Sequence, residues 1–252
     1  MPRNIKLTIE YNGTRFCGWQ VQPLSQRTVQ GEIKKALRII FKKDILIVGS
    51  GRTDTGVHAI GQVASFKIDA PMPTNQIVRA LNGNLDDDIT ILSAEEVPAS
   101  FHAQFSAKRK TYQYTILNRS TRPAINKDFV LHVSHKINVS VMRNEAKDLV
   151  GRHNFLSFTA TDPAKRNKPK PRNTIRTIHN LTIRKKKDII TIEVTANGFL
   201  YKMVRNITGT LLAIGTGLLP AGSMKKILKA KSRHAAHSTA PAKGLALINV
   251  EY

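Results

Sequence analysis

The sequence predicts an α+β protein built of two similar halves. Three observations carry this. Short runs of alternating apolar and polar residues recur through the chain, as half-buried strands require. They are interleaved with segments of helical apolar spacing. The order of strand, helix, strands, helix and strand in the first half returns in flavour in the second. At 252 residues the chain is long enough for two modest domains, and 41% hydrophobic residues suffice for their cores. A boundary near Ser106 is expected, giving halves at 1–106 and 107–252.

In the first half, Ile5–Tyr11 alternates as a strand and Thr28–Phe41 carries Val29, Ile33, Leu37 and Ile40 on one helical face. Ile45–Val48 is a short apolar strand running into a glycine-rich turn, with Gln62–Ile68 as the next strand. Asn75–Leu81 is expected to be helical and Ile89–Ala94 extended. In the second half, Lys110–Leu117 reads as a strand with Tyr112, Tyr114 and Ile116 on one face. Val139–Val150 is a helix, and Ile175–Ile183 pairs with Ile189–Thr195. A helix spans Phe199–Ile214, another starts at Ser223, and Leu245–Glu251 closes as a strand.

Forty Lys and Arg against seventeen Asp and Glu give a net charge of +23. No fold requires such an excess, which points to a polyanionic partner, nucleic acid first. The charge is uneven: residues 1–126 hold 17 basic and 10 acidic side chains, residues 127–252 hold 23 and 7. Lys165 to Lys187 contains ten Lys or Arg and no acid, and the proline-rich Lys165–Arg172 within it reads as a basic loop. No apolar run is long enough to span a bilayer, and the N-terminus lacks a signal-peptide core, so a cytoplasmic protein without membrane contact is expected. Cys17 is the only cysteine, and no intrachain disulfide can form.

The segment Gly49-Ser50-Gly51-Arg52-Thr53-Asp54-Thr55-Gly56-Val57-His58 follows a strand and invites a phosphate-loop reading, which fails. A P-loop needs Lys after its last Gly, where Val57 stands. A dinucleotide fingerprint counted from Gly49 puts Asp54 in its third glycine slot, and a carboxylate there repels a pyrophosphate. The glycines instead hold one acid, Asp54, in a tight loop at a strand end. A plain turn former is the ordinary role of Asp in such a loop. Against that role, Arg52 lies two positions away, where it can keep the carboxylate ionised, and the chain offers few other catalytic groups. Cys17 suits a core position better than a nucleophile's. His132/His135 and His234/His237 lack a third ligand, so no metal site is expected. His58 and His102 suit structural hydrogen bonds, and Asp86-Asp87-Asp88 a solvated turn. On the helix after Gly198, Arg205 falls nearly opposite the apolar arc. It is free there to meet solvent, an anion or a carboxylate.

Six of these segments, in order, resemble the tRNA pseudouridine synthase A family over nearly the whole chain. Gly51 to His58 looks like its catalytic motif, with Asp54 at the nucleophile position. Tyr11-Asn12-Gly13 through Gly18-Trp19-Gln20 is similar to its opening strand and loop, and Phe101 to Ala107 to its domain junction. Lys110-Thr111-Tyr112-Gln113-Tyr114 resembles the motif whose first Tyr stacks on the target base. Phe199 to Asn206 resembles the helix whose Arg, here Arg205, pairs with the catalytic Asp. Ala240-Pro241-Ala242-Lys243-Gly244-Leu245 resembles the motif that packs an aliphatic side chain, here Leu245, against the active site. Thr55, where the family usually has Ala, and Ala246, where an aromatic is common, depart from the pattern.

The resemblance implies two α/β-sandwich halves sharing a continuous, mostly antiparallel mixed sheet with a central cleft. It also implies a homodimer that grips one tRNA, and uridines at positions 38, 39 and 40 of the anticodon stem-loop as targets. Asp54 would act on the nucleoside, Arg52 would help hold the flipped nucleotide, and Tyr112 would stack on the uracil. The isomerisation is redox-neutral and needs no cofactor or metal. Two rivals from other classes remain at this stage. A non-catalytic basic RNA-binding protein would display strand aromatics without needing Asp54. A nuclease would need clustered acids and a divalent metal.

Overall fold

A computed structural model describes residues 2–22, 26–160 and 173–252. The chain divides into two compact units, residues 1–108 with 246–252 and residues 109–245. The mixed α/β class with mostly antiparallel strands is the one expected. The basic loop at Lys165–Arg172 lies outside the described residues.

The first unit is a sheet in the order β4 (Ile89–Val97), β1 (Arg3–Tyr11), β3 (His58–Ile68) and β10 (Leu245–Glu251), with β2 (Ile47–Gly49) also on β3. β1 runs antiparallel to both neighbours, whereas β10 joins β3 in parallel through Ala246 opposite His58. Ile5, Leu7 and Ile9 alternate into the core and are fully buried. Each contributes about 1.5–3 kcal/mol through burial. The helices are α1 (Val29–Phe41) and α2 (Thr74–Asn82). Thr28 caps α1 by accepting from the Gly31 N–H at 3.2 Å, and Val29, Ile33 and Leu37 form its buried stripe, as their spacing predicts.

The second unit orders its sheet β5 (Arg109–Asn118), β9 (Ile189–Ala196), β8 (Ile175–Lys186) and β7 (Gly151–Asn154), with β6 (Leu131–Val133) in parallel on β5. The expected β8–β9 pairing is present in antiparallel register, Ile183 opposite Ile192. Tyr112, Tyr114 and Ile116 share the buried face of β5. The helices are α3 (Val139–Lys147), α4 (Met203–Gly215) and α5 (Ser223–Ala230).

Two helix expectations need correction. α3 ends at Lys147, not Val150. α4 begins at Met203, not Phe199, because Lys202 adopts a left-handed conformation at φ 58° that no helix interior accepts. Phe199 instead packs edge-on against Tyr112, ring centroids 5.1 Å apart.

Candidate active site

Asp54 opens a turn between β2 and β3, directly before His58. Its carbonyl accepts from the Val57 N–H at 3.1 Å, and the third residue of the turn is Gly56 at φ 76°, a conformation that favours glycine. Asp54 is half-buried and the neighbouring Arg52 is exposed. The turn expected of this segment is present, closed along the backbone by the Val57 N–H bond. Thr53 is buried, and its hydroxyl meets the Tyr11 hydroxyl at 2.8 Å. Burial pushes the Tyr11 phenol up to about 12, against the pull of its bonds to Thr53 and Gln62, so it stays protonated at working pH. Gln62, fully buried, accepts from the Ser50 hydroxyl at 2.7 Å and donates to the Gly51 carbonyl at 3.1 Å. Four side chains thus set the backbone on the approach to Asp54.

The loop from Asn12 to Trp19 braces the other side. Trp19 N–H donates to the Thr53 carbonyl and Gly56 N–H to the Phe16 carbonyl, at 3.2 and 3.3 Å. His58 accepts the Gly13 N–H on Nδ1 at 3.0 Å, a structural bond of the kind expected of it. His102 likewise accepts from the Gln104 and Phe105 N–H groups. Two glycines make the close approach possible. A Cβ on Gly13 would collide with the Val57 carbonyl oxygen, and one on Gly18, at φ 88°, would lie 2.6 Å from the Thr53 carbonyl oxygen.

The brace is pinned by the cluster around Asp86-Asp87-Asp88, where the sequence predicts a solvated turn. Asp88 is buried, not solvated. It accepts from both Nη atoms of Arg27 at 2.7 and 2.8 Å and from Arg15 Nε at 3.1 Å, while its carbonyl takes the Asn12 N–H at 3.0 Å. The Arg27 hydrogen bonds hold the Asp88 carboxyl below its usual range, against the opposing effect of burial. Arg27 also covers the Phe16 ring at 4.2 Å.

Tyr112, Arg205 and Leu245 belong to the second unit, each fixed by its own element. Tyr112 is buried on β5, opposite Val194. Arg205, in the first turn of α4, donates from Nε to the Ala240 carbonyl at 2.8 Å and takes the Ala240 N–H on its own carbonyl at 3.1 Å. Leu245 is buried at the start of β10, directly after the short 3-10 turn Ala242–Gly244. Among the described residues no three His, Cys, Asp or Glu side chains gather as metal ligands, and no helix is long and apolar enough to cross a membrane.

The family described as tRNA pseudouridine synthase matches residues 7–106 and 146–252. The chain belongs to this family. Proteins named tRNA pseudouridine synthase A are similar to it end to end. The one from Thermoanaerobacter sp. (strain X514) is 43% identical over 250 residues, 99% of this chain and 100% of its own. Those from Clostridium acetobutylicum and Caldicellulosiruptor bescii are 42% and 40% identical over the same coverage. The synthase is thus an isomerase that converts uridine to pseudouridine in tRNA, moving uracil from an N–C to a C–C glycosidic bond. The sequence reading missed Tyr11, Gln62 and Asp88 as parts of the site's frame. Of these only Tyr11 carried a signal, as the first residue of the opening motif.

Proposed function

We propose that the synthase acts at positions 38, 39 and 40 of the tRNA anticodon stem-loop, with Asp54 as its catalytic carboxylate. The observation that carries the assignment of Asp54 is the loop itself, a half-buried acid in a glycine-rich turn on backbone braced from two sides; the target positions rest on the resemblance to the tRNA pseudouridine synthase A family. A paired uridine must leave the stack before any side chain can reach its sugar or ring, so the enzyme flips it. Asp54 then acts as an ionised carboxylate on the nucleoside. Arg52, exposed beside it, helps hold the flipped nucleotide through its phosphate. Tyr112 stacks on the uracil, and its hydroxyl is the candidate acceptor of the C5 proton. Arg205 orients the carboxylate, and Leu245 packs on the nucleoside's apolar face. The reaction exchanges one bond for another with no net oxidation, so these side chains suffice without a cofactor. The large basic excess holds the RNA backbone. The active species is a cytoplasmic homodimer that grips one tRNA.

The test is to incubate the protein with unmodified tRNA, digest to nucleosides, and map the product by position. Pseudouridine at 38, 39 or 40 is expected from wild type. Folded Asp54→Ala and Asp54→Asn should make none while binding tRNA as wild type does, since affinity comes mainly from the basic surface. A folded Asp54→Ala protein with normal turnover refutes the assignment. Product confined to other positions refutes the target.

A further inference from the structure

Tyr114, the second tyrosine of the Lys110–Tyr114 motif, has no part in the chemistry above. It is fully buried, two residues from Tyr112 on the same face of β5. Its hydroxyl donates to the Pro241 carbonyl at 2.8 Å. The carbonyl one residue earlier, Ala240, is the acceptor for Arg205 Nε. Two successive carbonyls therefore tie one turn to both side chains. The ring meets the same turn further on: a Cβ on Gly244 would sit 2.7 Å from Tyr114 Cε1 and Cζ, so the backbone just before Leu245 rests on the phenol. Burial pushes the Tyr114 hydroxyl well above its ordinary pKa, outweighing the nearby Arg205 charge, and it remains a donor at any working pH. The strap leading into the turn is held separately. Thr239 Oγ1 donates to Asn206 Oδ1 at 2.6 Å, and Gly209 lets the Ser238 carbonyl oxygen lie against α4 where a Cβ would collide.

We propose that Tyr114 is a positioning residue, whose hydroxyl and ring fix the Ala240–Gly244 turn and through it the Arg205 guanidinium and the Leu245 side chain. This rests on the reading of Arg205 as the group that orients Asp54. A buried tyrosine that merely satisfies its own hydroxyl would affect stability alone, and the two roles separate in kinetics.

The experiment measures kcat, KM for tRNA and the thermal midpoint for Tyr114→Phe, Thr239→Val, Arg205→Lys and the double variant Tyr114→Phe/Arg205→Lys, all assayed well below their midpoints. Phe keeps the ring against Gly244 and removes only the tie to Pro241. It should lower kcat about tenfold, with KM within about twofold of wild type. Thr239→Val, which loosens the strap at its edge, should give a smaller loss of the same kind and carries the test should Tyr114→Phe fail to fold. In the Arg205→Lys background the Tyr114→Phe change should slow turnover by clearly less than it does in wild type, because the share of its effect that passes through Arg205 is already lost and only the share through Leu245 remains. Wild-type kcat in Tyr114→Phe with a lowered midpoint, or losses that multiply in the double variant, overturns the inference. Wild-type turnover in Arg205→Lys defeats the reading of Arg205 itself, and the inference with it. Loss in Arg205→Lys with none in Tyr114→Phe and Thr239→Val defeats only the inference.

Discussion

Asp88→Asn should destabilise the protein by about 2–3 kcal/mol and slow it as well. The Asp88 side chain is 6% exposed and its chief partner Arg27 28%, so their contacts are shielded from solvent. Charge-assisted hydrogen bonds of this kind contribute about 1.5–3 kcal/mol each, and breaking a buried pair from one side costs about 3–5 kcal/mol. Asn retains one acceptor oxygen and can keep one Arg27 contact, which sets the expectation below the full figure. Arg15, at 70% exposed, adds little. For a chain of this size, about 2–4 °C per kcal/mol predicts a fall of about 4–12 °C in thermal midpoint. The pH dependence has a definite sign. The folded carboxyl is held below the ordinary value of about 3.9, so its contribution is fully present above that value and disappears as pH falls through the lower, folded one. The gap between wild type and variant should stay constant above about pH 5 and close in acid. Asp86→Asn is the control: Asp86 also meets Arg27, at 2.7 Å, but is 70% exposed, and its loss should cost at most about 1 kcal/mol. Denaturant melts from pH 3 to 7 measure all three proteins. A gap below about 0.5 kcal/mol at pH 7, or one that persists unchanged in acid, refutes the claim that Asp88 pins the loop electrostatically.

Gly18→Ala combines a left-handed backbone with a Cβ 2.6 Å from the Thr53 carbonyl oxygen, and should cost about 2 kcal/mol or more together with most of the turnover; near-wild-type kinetics would show that the brace does not set the Asp54 turn. Tyr112→Phe keeps the stacking face and the edge-on contact with Phe199, so KM should hold while kcat collapses; normal turnover would leave Tyr112 a platform and the C5 proton acceptor unassigned. Binding of tRNA should weaken roughly a hundredfold or more between 50 and 200 mM salt, measured by filter binding, and an unchanged affinity would contradict the role given to the +23 charge.

What the sequence made legible was local. The buried stripe of α1, the β8–β9 hairpin and the tyrosine face of β5 all follow from periodicity, which depends on neighbours along the chain. The glycine-rich segment was readable as a turn holding an acid because the alternatives fail on single residues, Val57 and Asp54 itself. What it hid was either conformational or distant. The apolar arc runs unbroken from Phe199 to Ile214, so periodicity cannot see that Lys202 turns left-handed and starts α4 later. Three consecutive acids look solvated because Arg27, which buries Asp88, lies 61 residues away. Tyr114 reads as one more inward residue because the carbonyl it holds is 127 positions downstream. β6 and β7, at three and four residues, are too short to show a period.

The two frames share a design that bears on where this enzyme is vulnerable. Around Asp54 the close approaches are made by backbone against Gly13 and Gly18, and around Arg205 by backbone against Gly209 and by the Tyr114 ring against Gly244. At each of these four positions a single Cβ meets a carbonyl oxygen or a packed ring, with no flexible side-chain end to move aside. Side chains enter mainly as ties beside these contacts: Tyr11 and Gln62 in one unit, Tyr114 and the Thr239–Asn206 pair in the other. A backbone frame loses less rotamer freedom on ordering than long charged side chains would, and its hydrogen bonds are not screened by salt as surface ion pairs are. That suits an enzyme whose surface must carry so many unbalanced cations. Two of these ties, the Tyr11 and Tyr114 hydroxyls, are pushed up by burial and keep their protons at neutral pH. The Asp88 cluster depends instead on an ionised carboxylate, so acid that protonates it should loosen the loop that braces Asp54.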